Sequence, residues 1–512
     1  NLVSGLAVGH GGVWVGAAPY LMFIPDADCD AVADGGPEIL LDGWGYQDTH
    51  ETLNSLIWGP DGWLYGCHGV FTHSKVGKPG ASDQDRTKVN AAVWRYHPQR
   101  HEFDVFARGA SNQWGVDFDD HGQAIITACV IPHLYHVVQG ARYQRQGGKH
   151  FNRYLYDDIK TIADHLHYLG STSHAGNGVS NSVGGGHAHC GAMIYLGASF
   201  PDQYRNAVFM NNVHGNRINT DILERDGSGF VGKHGPDFLL ANDKWFRGIN
   251  MQYGPDGSVF LIDWYDKQAC HLRNPQVWDR SNGRLYKVSY GTPKPSRVDL
   301  VSMTDAELVA LQGHDNDWFV RTARRILQQR GGNEVVWAGL RSILFSDVTV
   351  PKRLRALWAL HVTGGFSEPI ALELLDSDDD YLRGWSIQLT CEDRVVSTAM
   401  ARKLIVMASE DPSPVVRLYL CSAAQRLSEN LRWSLAEALV AHGEDAEDHN
   451  LPMMIWYACE PLMVSDPDRA KRLIALCKLD RVRQFMYRRL AEDELGRETL
   501  VELLAKAEDE LA

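Results

Sequence analysis

Two patterns of hydrophobic and polar positions divide this chain. In the first part, short β-rich runs such as Gly12 to Gly16 and Val259 to Ile262 alternate with Gly, Asp, Asn and Pro. Many short runs of this kind predict small antiparallel strands. After Lys294, glycine becomes rarer and apolar residues recur at the helical spacing of i, i+3 and i+4. The sequence therefore predicts a β domain over residues 1–292 and an α-helical domain over residues 300–512.

One turn motif recurs in the β domain. Residues 59–62 and 254–257 both read Gly-Pro-Asp-Gly, and residues 119–122 are a looser copy. Proline presets φ at the first central position of a turn, and glycine accepts a positive φ near its end. Each copy therefore predicts a tight turn that starts a strand.

The hairpins that these turns imply indicate a β-propeller, because repeated hairpins at long intervals are typical of propeller blades. The hairpin groups lie around Val13, Leu64, Ile125, Ile194 and Val259. A propeller closes as a ring to protect its sheet edges. We therefore expect at least one further blade, either missing at the N-terminus or supplied by sequence outside this chain.

A second repeat runs through the helical domain. An acidic cluster, an aromatic or apolar pair and an arginine return at 315–321, 378–383 and 411–417, with a degenerate copy ending at Arg355. Intervals of about thirty residues are typical of helix-pair repeats, in which the acidic start caps a helix and the arginine can pair with a neighbouring aspartate. Residues 304–307 (Thr-Asp-Ala-Glu) predict a capping box at the first helix. The pattern resembles HEAT repeats, which bind or brace a partner, and an irregular helical bundle is the alternative.

Charge and composition narrow the range of partners. The chain has 50 Lys and Arg against 64 Asp and Glu, a formal net charge of −14, which repels phosphate backbones and excludes nucleic acid as an expected partner. No stretch approaches the roughly eighteen consecutive apolar residues that a membrane-spanning helix needs, so we expect no membrane span. The nine cysteines form no CxxC pair, so neither a zinc knuckle nor a c-type haem is indicated.

An acidic turn is the first candidate for chemistry. It places aspartates at Asp26, Asp28, Asp30 and Asp34. Alternating carboxylates in a turn converge on one point, and a hard cation such as Ca²⁺ offsets their repulsion. We therefore predict a calcium site here, although Ala31 stands where such loops carry glycine. A solvated acidic turn is the alternative.

Histidine density is the second candidate, since 22 histidines are many for this length. His187 and His189 follow three glycines, which allow close backbone approach to a ligand, and an HxH pair can place two imidazoles on one side of a strand. Two such rings can hold a transition metal or bind an anionic ligand. Histidines that only bond loop carbonyls are the alternative. The other histidines in loop-like context are His50, His68, His165, His167, His174 and His214.

The third candidate lies just before the first Gly-Pro-Asp-Gly turn. In a propeller, the loops that enter the innermost strands line the central depression, which is the usual ligand pocket. We therefore expect His50 and Asn54 to face a ligand, with Asp48 close enough to orient the imidazole of a general base.

Four segments of the β domain together resemble the soluble quinoprotein glucose/sorbosone dehydrogenase family. They are residues 50–66, 109–115, 200–205 and 245–247, the last followed by the second Gly-Pro-Asp-Gly turn. More closely, the chain resembles the large planctomycete and verrucomicrobial proteins described as membrane-bound dehydrogenases, which join such a propeller to HEAT-like repeats. The resemblance covers essentially the whole chain.

This resemblance implies a six-bladed propeller, its first blade incomplete here, that binds pyrroloquinoline quinone (PQQ) and Ca²⁺ on its axis. His50 stands at the position of the general base that takes a hydroxyl proton while hydride passes to the quinone. The positions that hold the cofactor are matched by Asn112, His214, Arg217 and Arg247. The arginines suit such a role because a guanidinium fork matches a carboxylate.

The sequence departs from that family at two positions near the cofactor. Ser111 and Trp245 stand where the characterised dehydrogenases carry arginines. A charged hydrogen bond contributes about 1.5–3 kcal/mol, so the loss of two cations is expected to weaken the binding of a tricarboxylate cofactor.

The sequence therefore predicts a periplasmic or secreted sugar- or polyol-directed oxidoreductase of the quinoprotein type. One alternative is a metal-dependent, carbohydrate-active propeller, a hydrolase or lyase that uses the histidines. Another is a non-catalytic scaffold that binds carbohydrate or protein. The expected partners are a small-molecule or carbohydrate substrate and, at the helical repeats, a protein partner or an electron acceptor.

Overall fold

The β domain contains five antiparallel sheets arranged as propeller blades. The computed structural model describes residues 3–49, 51–130, 132–169, 179–269, 278–279, 281–293 and 298–511. Blade 1 consists of β1 (Gly5–Val8), β2 (Gly12–Ala17), β3 (Tyr20–Pro25) and β4 (Glu38–Leu41). Blade 2 consists of β5 (Asn54–Trp58), β6 (Leu64–His68), β9 (Ala92–His97) and β10 (Glu102–Arg108), with β7 (Ser74–Val76) and β8 (Thr87–Val89) as a separate ribbon.

The remaining three blades follow in chain order. Blade 3 consists of β11 (Gln113–Phe118), β12 (Ala124–Ala128) and β13 (Leu134–Val137). Blade 4 consists of β14 (His189–Ile194), β15 (Val208–Asn212), β16 (Arg217–Asp226) and β17 (Gly229–His234), with β18 (Leu239–Leu240) beside β16. Blade 5 consists of β19 (Gly248–Tyr253), β20 (Val259–Asp263) and β21 (Arg284–Val288).

The first strands of the blades succeed one another around the propeller. β1 contacts β5, β5 contacts β11, β11 contacts β14, and β14 contacts β19. Within the described ranges there are five blades, so the six-bladed expectation is corrected to five for this part of the chain. The described residues supply five groups of strands that hydrogen-bond as blades. Blade 1, which was expected to be incomplete, has four strands.

Apolar side chains between neighbouring blades form the core. Trp14 of blade 1 packs with Trp94 and Tyr96 of blade 2 in one buried cluster, and Phe209 of blade 4 packs with Leu261 of blade 5 in another. A strand in the middle of a blade is therefore covered on both faces, and β9 is buried at every position. For this reason its sequence does not alternate strictly between apolar and polar residues.

The recurring turn adopts the predicted backbone. Gly62, Gly122 and Gly257 have φ values of 82°, 73° and 75°, so the prediction of a glycine with positive φ in each copy is confirmed. All three turns follow the innermost strand of a blade and therefore lie on one face of the propeller. We call this face the turn face.

The helical domain contains 13 helices in the described residues. The first seven are α1 (Asp305–Ala310), α2 (Asp317–Arg330), α3 (Glu334–Leu344), α4 (Val350–Val362), α5 (Glu368–Leu374), α6 (Asp380–Thr390) and α7 (Thr398–Glu410). The others are α8 (Pro414–Ala424), α9 (Glu429–Leu439), α10 (Leu451–Cys459), α11 (Pro467–Leu476), α12 (Asp480–Ala491) and α13 (Glu494–Leu511). The even-numbered helices from α2 to α12 contact one another in succession, and the odd-numbered helices lie beside them.

The row of even-numbered helices packs against the turn face of the propeller. Trp385 Nε1 donates to His121 O at 2.7 Å, and Gln123 Nε2 donates to the Tyr419 hydroxyl at 2.8 Å. Further along the row, the Tyr457 hydroxyl donates to Arg142 O at 3.1 Å. One hydrophobic cluster runs from blades 2 and 3 into the helices, so the two domains share a continuous core.

Two local predictions for the helical domain are confirmed. Thr304 and Glu307 form the capping box, each side chain accepting a hydrogen bond from the backbone N–H of the other residue. The repeated arginines pair with aspartates: Arg383 Nε lies 2.9 Å from Asp411 Oδ2, and Arg417 Nε lies 2.7 Å from Asp445 Oδ2. No described helix combines the length and the apolar composition that crossing a bilayer requires.

Candidate metal centre between blades 3 and 4

Four histidines and one aspartate meet at the interface between blades 3 and 4. His133 directly precedes β13, His165 and His167 lie in the segment that links the two blades, His189 begins β14, and Asp221 lies within β16. Four of these residues are fully buried, and His165 keeps 16% of its side chain exposed. The cluster therefore reaches solvent on the side of His165.

Backbone hydrogen bonds position the linking segment between the two blades. Ile162 N–H donates to Leu134 O of blade 3 at 3.1 Å, and Asp164 N–H donates to Gly232 O of blade 4 at 3.1 Å. The segment then presents His165 and His167 to Asp221. A Cβ atom at Gly184 would lie 2.5 Å from the ring of His167, so glycine at this position makes room for the imidazole.

Three donor atoms form a small triangle at the centre of the cluster. His165 Nε2 and His167 Nε2 are 3.1 Å apart, and they lie 3.3 Å and 3.6 Å from Asp221 Oδ1. Ligands of a tetrahedral zinc ion at 2.0–2.2 Å are separated by about 3.3–3.6 Å. The edges of the triangle are close to that range. His133 offers a fourth donor, which lies within 4.8 Å of donor atoms of these three residues.

The outer nitrogens of the two histidines contact other side chains of the cluster. His167 Nδ1 lies 2.7 Å from His189 Nε2, and His165 Nδ1 lies 3.1 Å from the carboxylate of Asp164. These contacts hold both rings so that their Nε2 atoms face Asp221 Oδ1. Outer contacts of this kind orient histidine ligands in metal sites.

The electrostatics of the cluster favour an ionised Asp221 and neutral His167 and His189. His165 differs, because burial would lower its pKa but the hydrogen bonds and charges of Asp221 and Asp164 outweigh burial and raise it. Burial alone would raise the pKa of Asp221, but hydrogen bonds from His133 and His165 outweigh it and hold the pKa well below its usual range. Burial, reinforced by the neighbouring imidazoles, lowers the pKa values of His167 and His189 far below that of a free histidine. An ionised carboxylate and neutral imidazoles are the forms that ligate a metal. Asp221 Oδ1 is buried and faces the Nε2 atoms of His165 and His167, so it is placed to share a metal with them.

The structure separates the predicted HxH pair. Ala188 has a φ of 73°, so the backbone between His187 and His189 is not extended and the two rings do not share one side of a strand. His189 joins the cluster through His167, whereas His187 stacks on His214 with ring centroids 4.4 Å apart. The metal roles predicted for this pair remain predictions, and the ligand-like triangle is formed by other residues.

The residues predicted beside the general base lie elsewhere. His50, like His174, falls outside the described residues. Asn54 is fully buried, and its Nδ2 donates to Gln113 O at 3.3 Å. The backbone N–H of Asp48 donates to Thr72 Oγ1 at 3.0 Å. Neither Asn54 nor Asp48 belongs to the histidine cluster.

The predicted cofactor residues are bonded to the protein itself. Arg217 Nη1 lies 2.8 Å from Asp237 Oδ2, and Arg247 donates to Phe246 O at 2.8 Å and to Lys267 O at 3.1 Å. Ser111 is fully buried, and the side-chain oxygen of Asn112 is buried without a hydrogen bond among the described residues. Asp237 already neutralises Arg217, and Arg247 donates to backbone carbonyls, so the described arrangement gives little support to a tricarboxylate quinone.

The acidic turn lies at the edge of blade 1, on the turn face. Single carboxylate oxygens of Asp26, Asp28 and Asp30 lie within 4.8 Å of one another. Asp34 instead accepts a hydrogen bond from Ala27 N–H at 2.6 Å. The structure therefore groups three of the four predicted calcium ligands, in an exposed turn remote from the histidine cluster.

Sequence reasoning missed His133 and Asp221. For the two histidine ligands the sequence did hold a signal. Residues 165–167 form a second HxH motif like the one at 187–189, and Asp164 precedes it. Asp221 lies at a buried position of β16, but most residues of this strand are polar. Hydrophobic patterning therefore gave no sign that this carboxylate is buried and requires a partner. No signal in the sequence links either residue to the other.

Several solved propeller structures are distantly similar to this chain. A Thermus thermophilus oxidoreductase described as a glucose dehydrogenase is 15% identical, with a TM-score of 0.37 over 56% of this chain and 83% of its own. Another glucose dehydrogenase is 14% identical, with a TM-score of 0.31 over 56% and 96%. A protein described as a gluconolactonase is 12% identical, with a TM-score of 0.26 over 51% and 70%. Likenesses this distant carry no conclusion about activity.

A match to a family of protein sequences identifies the family of this chain. No curated protein matches the sequence. One family model matches residues 1–291, which is more than half of the 512 residues and includes the whole histidine cluster. The chain therefore belongs to the family described as "Domain of unknown function (DUF7133)".

Proposed function

We propose that this protein is a metal-dependent enzyme of the hydrolase or lyase type, with its metal held by His165, His167 and Asp221. The observation that carries the proposal is the triangle of 3.1, 3.3 and 3.6 Å between their donor atoms. Two imidazoles and a carboxylate suit a borderline transition metal, and the tetrahedral spacing favours zinc. A metal of this kind polarises a bonded oxygen and lowers the pKa of bound water.

The surrounding residues supply positioning and proton transfer. His133 donates to Asp221 Oδ2 at 3.0 Å and so fixes the carboxylate, leaving Oδ1 as the ligand atom. His234 stacks on His165 with ring centroids 5.2 Å apart and keeps 30% of its side chain exposed beside Asp237. Imidazole is a common general acid and base, so His234 is placed to move a proton between a substrate at the open side of the cluster and solvent.

The substrate class rests on the sequence resemblance alone, which favours a carbohydrate. The quinoprotein oxidoreductase that the same resemblance suggests has less support, because Arg217 and Arg247 are engaged by Asp237 and by backbone carbonyls. Calcium at Asp26, Asp28 and Asp30 remains a separate proposal, and such a site on the turn face has no contact with the proposed metal centre.

Metal content tests the proposal directly. The purified chain is stripped with a chelator, loaded with Zn²⁺, desalted and analysed for bound metal. We expect about one zinc per chain in the wild type and a loss of at least tenfold in Asp221→Asn, which keeps the side-chain shape but removes the charge. His73→Gln, at an exposed histidine on blade 2, is the matched control and should retain the zinc.

Two results would contradict the proposed metal centre. One is a wild-type chain that binds no zinc, copper, nickel or iron after loading. The other is unchanged binding in a folded Asp221→Asn variant, with circular dichroism used to check the fold. If metal binds as expected, release of nitrophenolate from a panel of nitrophenyl glycosides, lost on chelation and restored by metal, tests the hydrolase assignment.

We also propose that the helical domain is a HEAT-like solenoid that braces the propeller. Support comes from the succession of even-numbered helices and from the pairs Arg383–Asp411 and Arg417–Asp445, each spanning 28 residues. The row of odd-numbered helices faces away from the propeller and is the surface we propose for a protein partner. A periplasmic or secreted location remains a proposal from the sequence.

A further inference from the structure

A cavity that is separate from the proposed metal centre lies between blade 2 and the segment that follows blade 3. Its volume is about 350 Å³, and its lining includes Arg86, Lys88, Arg108, Arg142 and His150. No lining residue belongs to the histidine cluster. In a chain with a net charge of −14, five basic side chains around one cavity are a local reversal of charge.

The backbone itself brings two of these arginines together. Arg108 and Arg142 are partners in a parallel β-bridge. Arg108 N–H donates to Ala141 O at 3.1 Å, and Tyr143 N–H donates to Arg108 O at 2.9 Å. Like charges on directly opposed positions destabilise a pair of strands, so this register carries an electrostatic cost that a bound anion relieves.

The positive charge of the cavity is only partly compensated within the protein. Arg86 pairs with Asp42 and His150 pairs with Asp158, but no ion pair between described residues includes Arg108, Arg142 or Lys88. Burial, followed by the nearby Arg142, lowers the pKa of Arg108 to about 10. The guanidinium is therefore still charged at neutral pH, in surroundings that oppose its charge.

The arginines also retain unused hydrogen-bond donors. Arg108 Nη1 donates to Lys88 O at 2.9 Å, and Arg142 Nη1 donates to Ala141 O at 3.1 Å and to Gly140 O. A guanidinium has five N–H donors, so each group keeps N–H donors beyond these contacts. Paired guanidinium groups of this kind match the oxygens of phosphate and sulfate.

We propose that this cavity binds a phosphate or sulfate monoester, with the oxyanion held by Arg108, Arg142 and Lys88. A volume of about 350 Å³ is within the range of small-molecule sites and exceeds what an inorganic anion needs. The exposed ring of Phe151 lines the cavity, with Arg108 Cζ 5.4 Å from its centroid. Its outer face is therefore placed to stack on the organic part of the ester.

Calorimetric titration with glucose 6-phosphate, glucose 6-sulfate, inorganic phosphate and inorganic sulfate tests this site. The titrations use the folded Asp221→Asn chain after chelation, so that an oxyanion bound to the proposed metal is not mistaken for one in this cavity. We expect saturable binding that weakens as salt is added, with an ester bound more tightly than its inorganic anion. The preferred ester distinguishes a phosphorylated from a sulfated ligand, and glucose itself should not bind.

Three variants identify the residues. Arg108→Gln should weaken binding of the best ligand at least tenfold. Lys88→Gln changes an exposed side chain, leaves in place the backbone carbonyl that Arg108 uses, and should weaken binding of the best ligand severalfold. This variant still tests the site if Arg108→Gln does not fold. Arg341→Gln removes the same charge from an exposed pair with Glu334 and should bind as the parent does. Equal affinity in all three variants, or no saturable binding by any of the four anions, would overturn the proposal. Because metal loading is measured separately, this outcome is independent of the metal centre.

Discussion

At the scale of single residues, burial and two hydrogen bonds decide the state of a titratable group. His68 is fully buried, with Nδ1 2.9 Å from Gly69 O and Nε2 2.8 Å from Ser74 Oγ. A neutral ring satisfies both contacts, since Nδ1–H donates to the carbonyl and Nε2 accepts from the hydroxyl. Burial, partly offset by the bond to Gly69, lowers the pKa of His68 to about 4.

This pKa predicts a pH dependence of stability with a definite sign. The unfolded chain protonates this histidine near pH 6.5, whereas the folded chain does so only near pH 4. The unfolded state therefore binds more protons between these values, and the free energy of unfolding falls by up to about 1.4 kcal/mol per pH unit on acidification. Urea titrations from pH 7 to 4.5 give the free energy of unfolding at each pH. In His68→Gln the slope of this free energy against pH should be smaller, by the equivalent of up to one bound proton. An unchanged slope in His68→Gln would contradict the argument.

At the scale of elements, the recurring turn shows why glycine is required at a particular position. Gly122 has a φ of 73°, and a Cβ atom there would lie 2.6 Å from the rings of both Trp358 and Trp385. Gly80 has a similar φ of 79°, but a Cβ atom there would meet nothing within 4 Å. The two glycines thus share the backbone requirement and differ in the close approach of the helical domain.

The matched variants Gly122→Ala and Gly80→Ala separate these two effects. Gly80→Ala should reduce the free energy of unfolding by about 1–2 kcal/mol, the cost of a left-handed backbone for alanine. Gly122→Ala should lose a further 1–3 kcal/mol or so, because the added methyl group displaces two tryptophan rings. Urea midpoints measure both losses. Equal losses would show that the helices move aside without cost.

At the scale of the whole molecule, a buried ionic network joins the two domains. Arg355 of α4 lies 3.2 Å from Asp120 in the turn of blade 3 and 3.2 Å from Asp317 of α2. Asp120 also lies 2.8 Å from Arg205 of blade 4, and Arg321 of α2 lies 2.6 Å from Asp117 of β11. The helical repeat therefore contributes to the junction as well as to its own stacking.

Removal of Arg355 should weaken the junction selectively. Arg355→Ala removes one of the two cations at each buried carboxylate, because Asp120 keeps Arg205 and Asp317 keeps Arg321. The loss of stability should therefore lie below the roughly 3–5 kcal/mol that a fully broken buried pair costs. In differential scanning calorimetry, we expect one transition in the wild type and an earlier, separate transition of the helical domain in the variant. Arg341→Ala breaks an exposed pair and should change stability by less than about 1 kcal/mol. A single transition at the wild-type temperature in Arg355→Ala would contradict this view of the junction.

The sequence by itself determined the features whose causes act over a few residues. The change from β-rich to helical periodicity, the glycines of the recurring turn, the Thr304–Glu307 capping box and the Arg–Asp pairs of the repeats were all predictable, because turn geometry, capping and repeat spacing depend on neighbours along the chain. The five hairpin groups were predictable for the same reason. A further blade was expected from ring closure and from the resemblance, and the described residues contain five blades.

Only the tertiary structure decided which side chains meet. His133 and Asp221 are 88 positions apart, and the packing of blade 3 on blade 4 is what places them 3.0 Å from each other. The positive φ of Ala188 directs His187 and His189 to different neighbours, and the parallel bridge of Arg108 with Arg142 creates the basic cavity. Such contacts arise from the register between distant strands, which no local pattern of residues encodes.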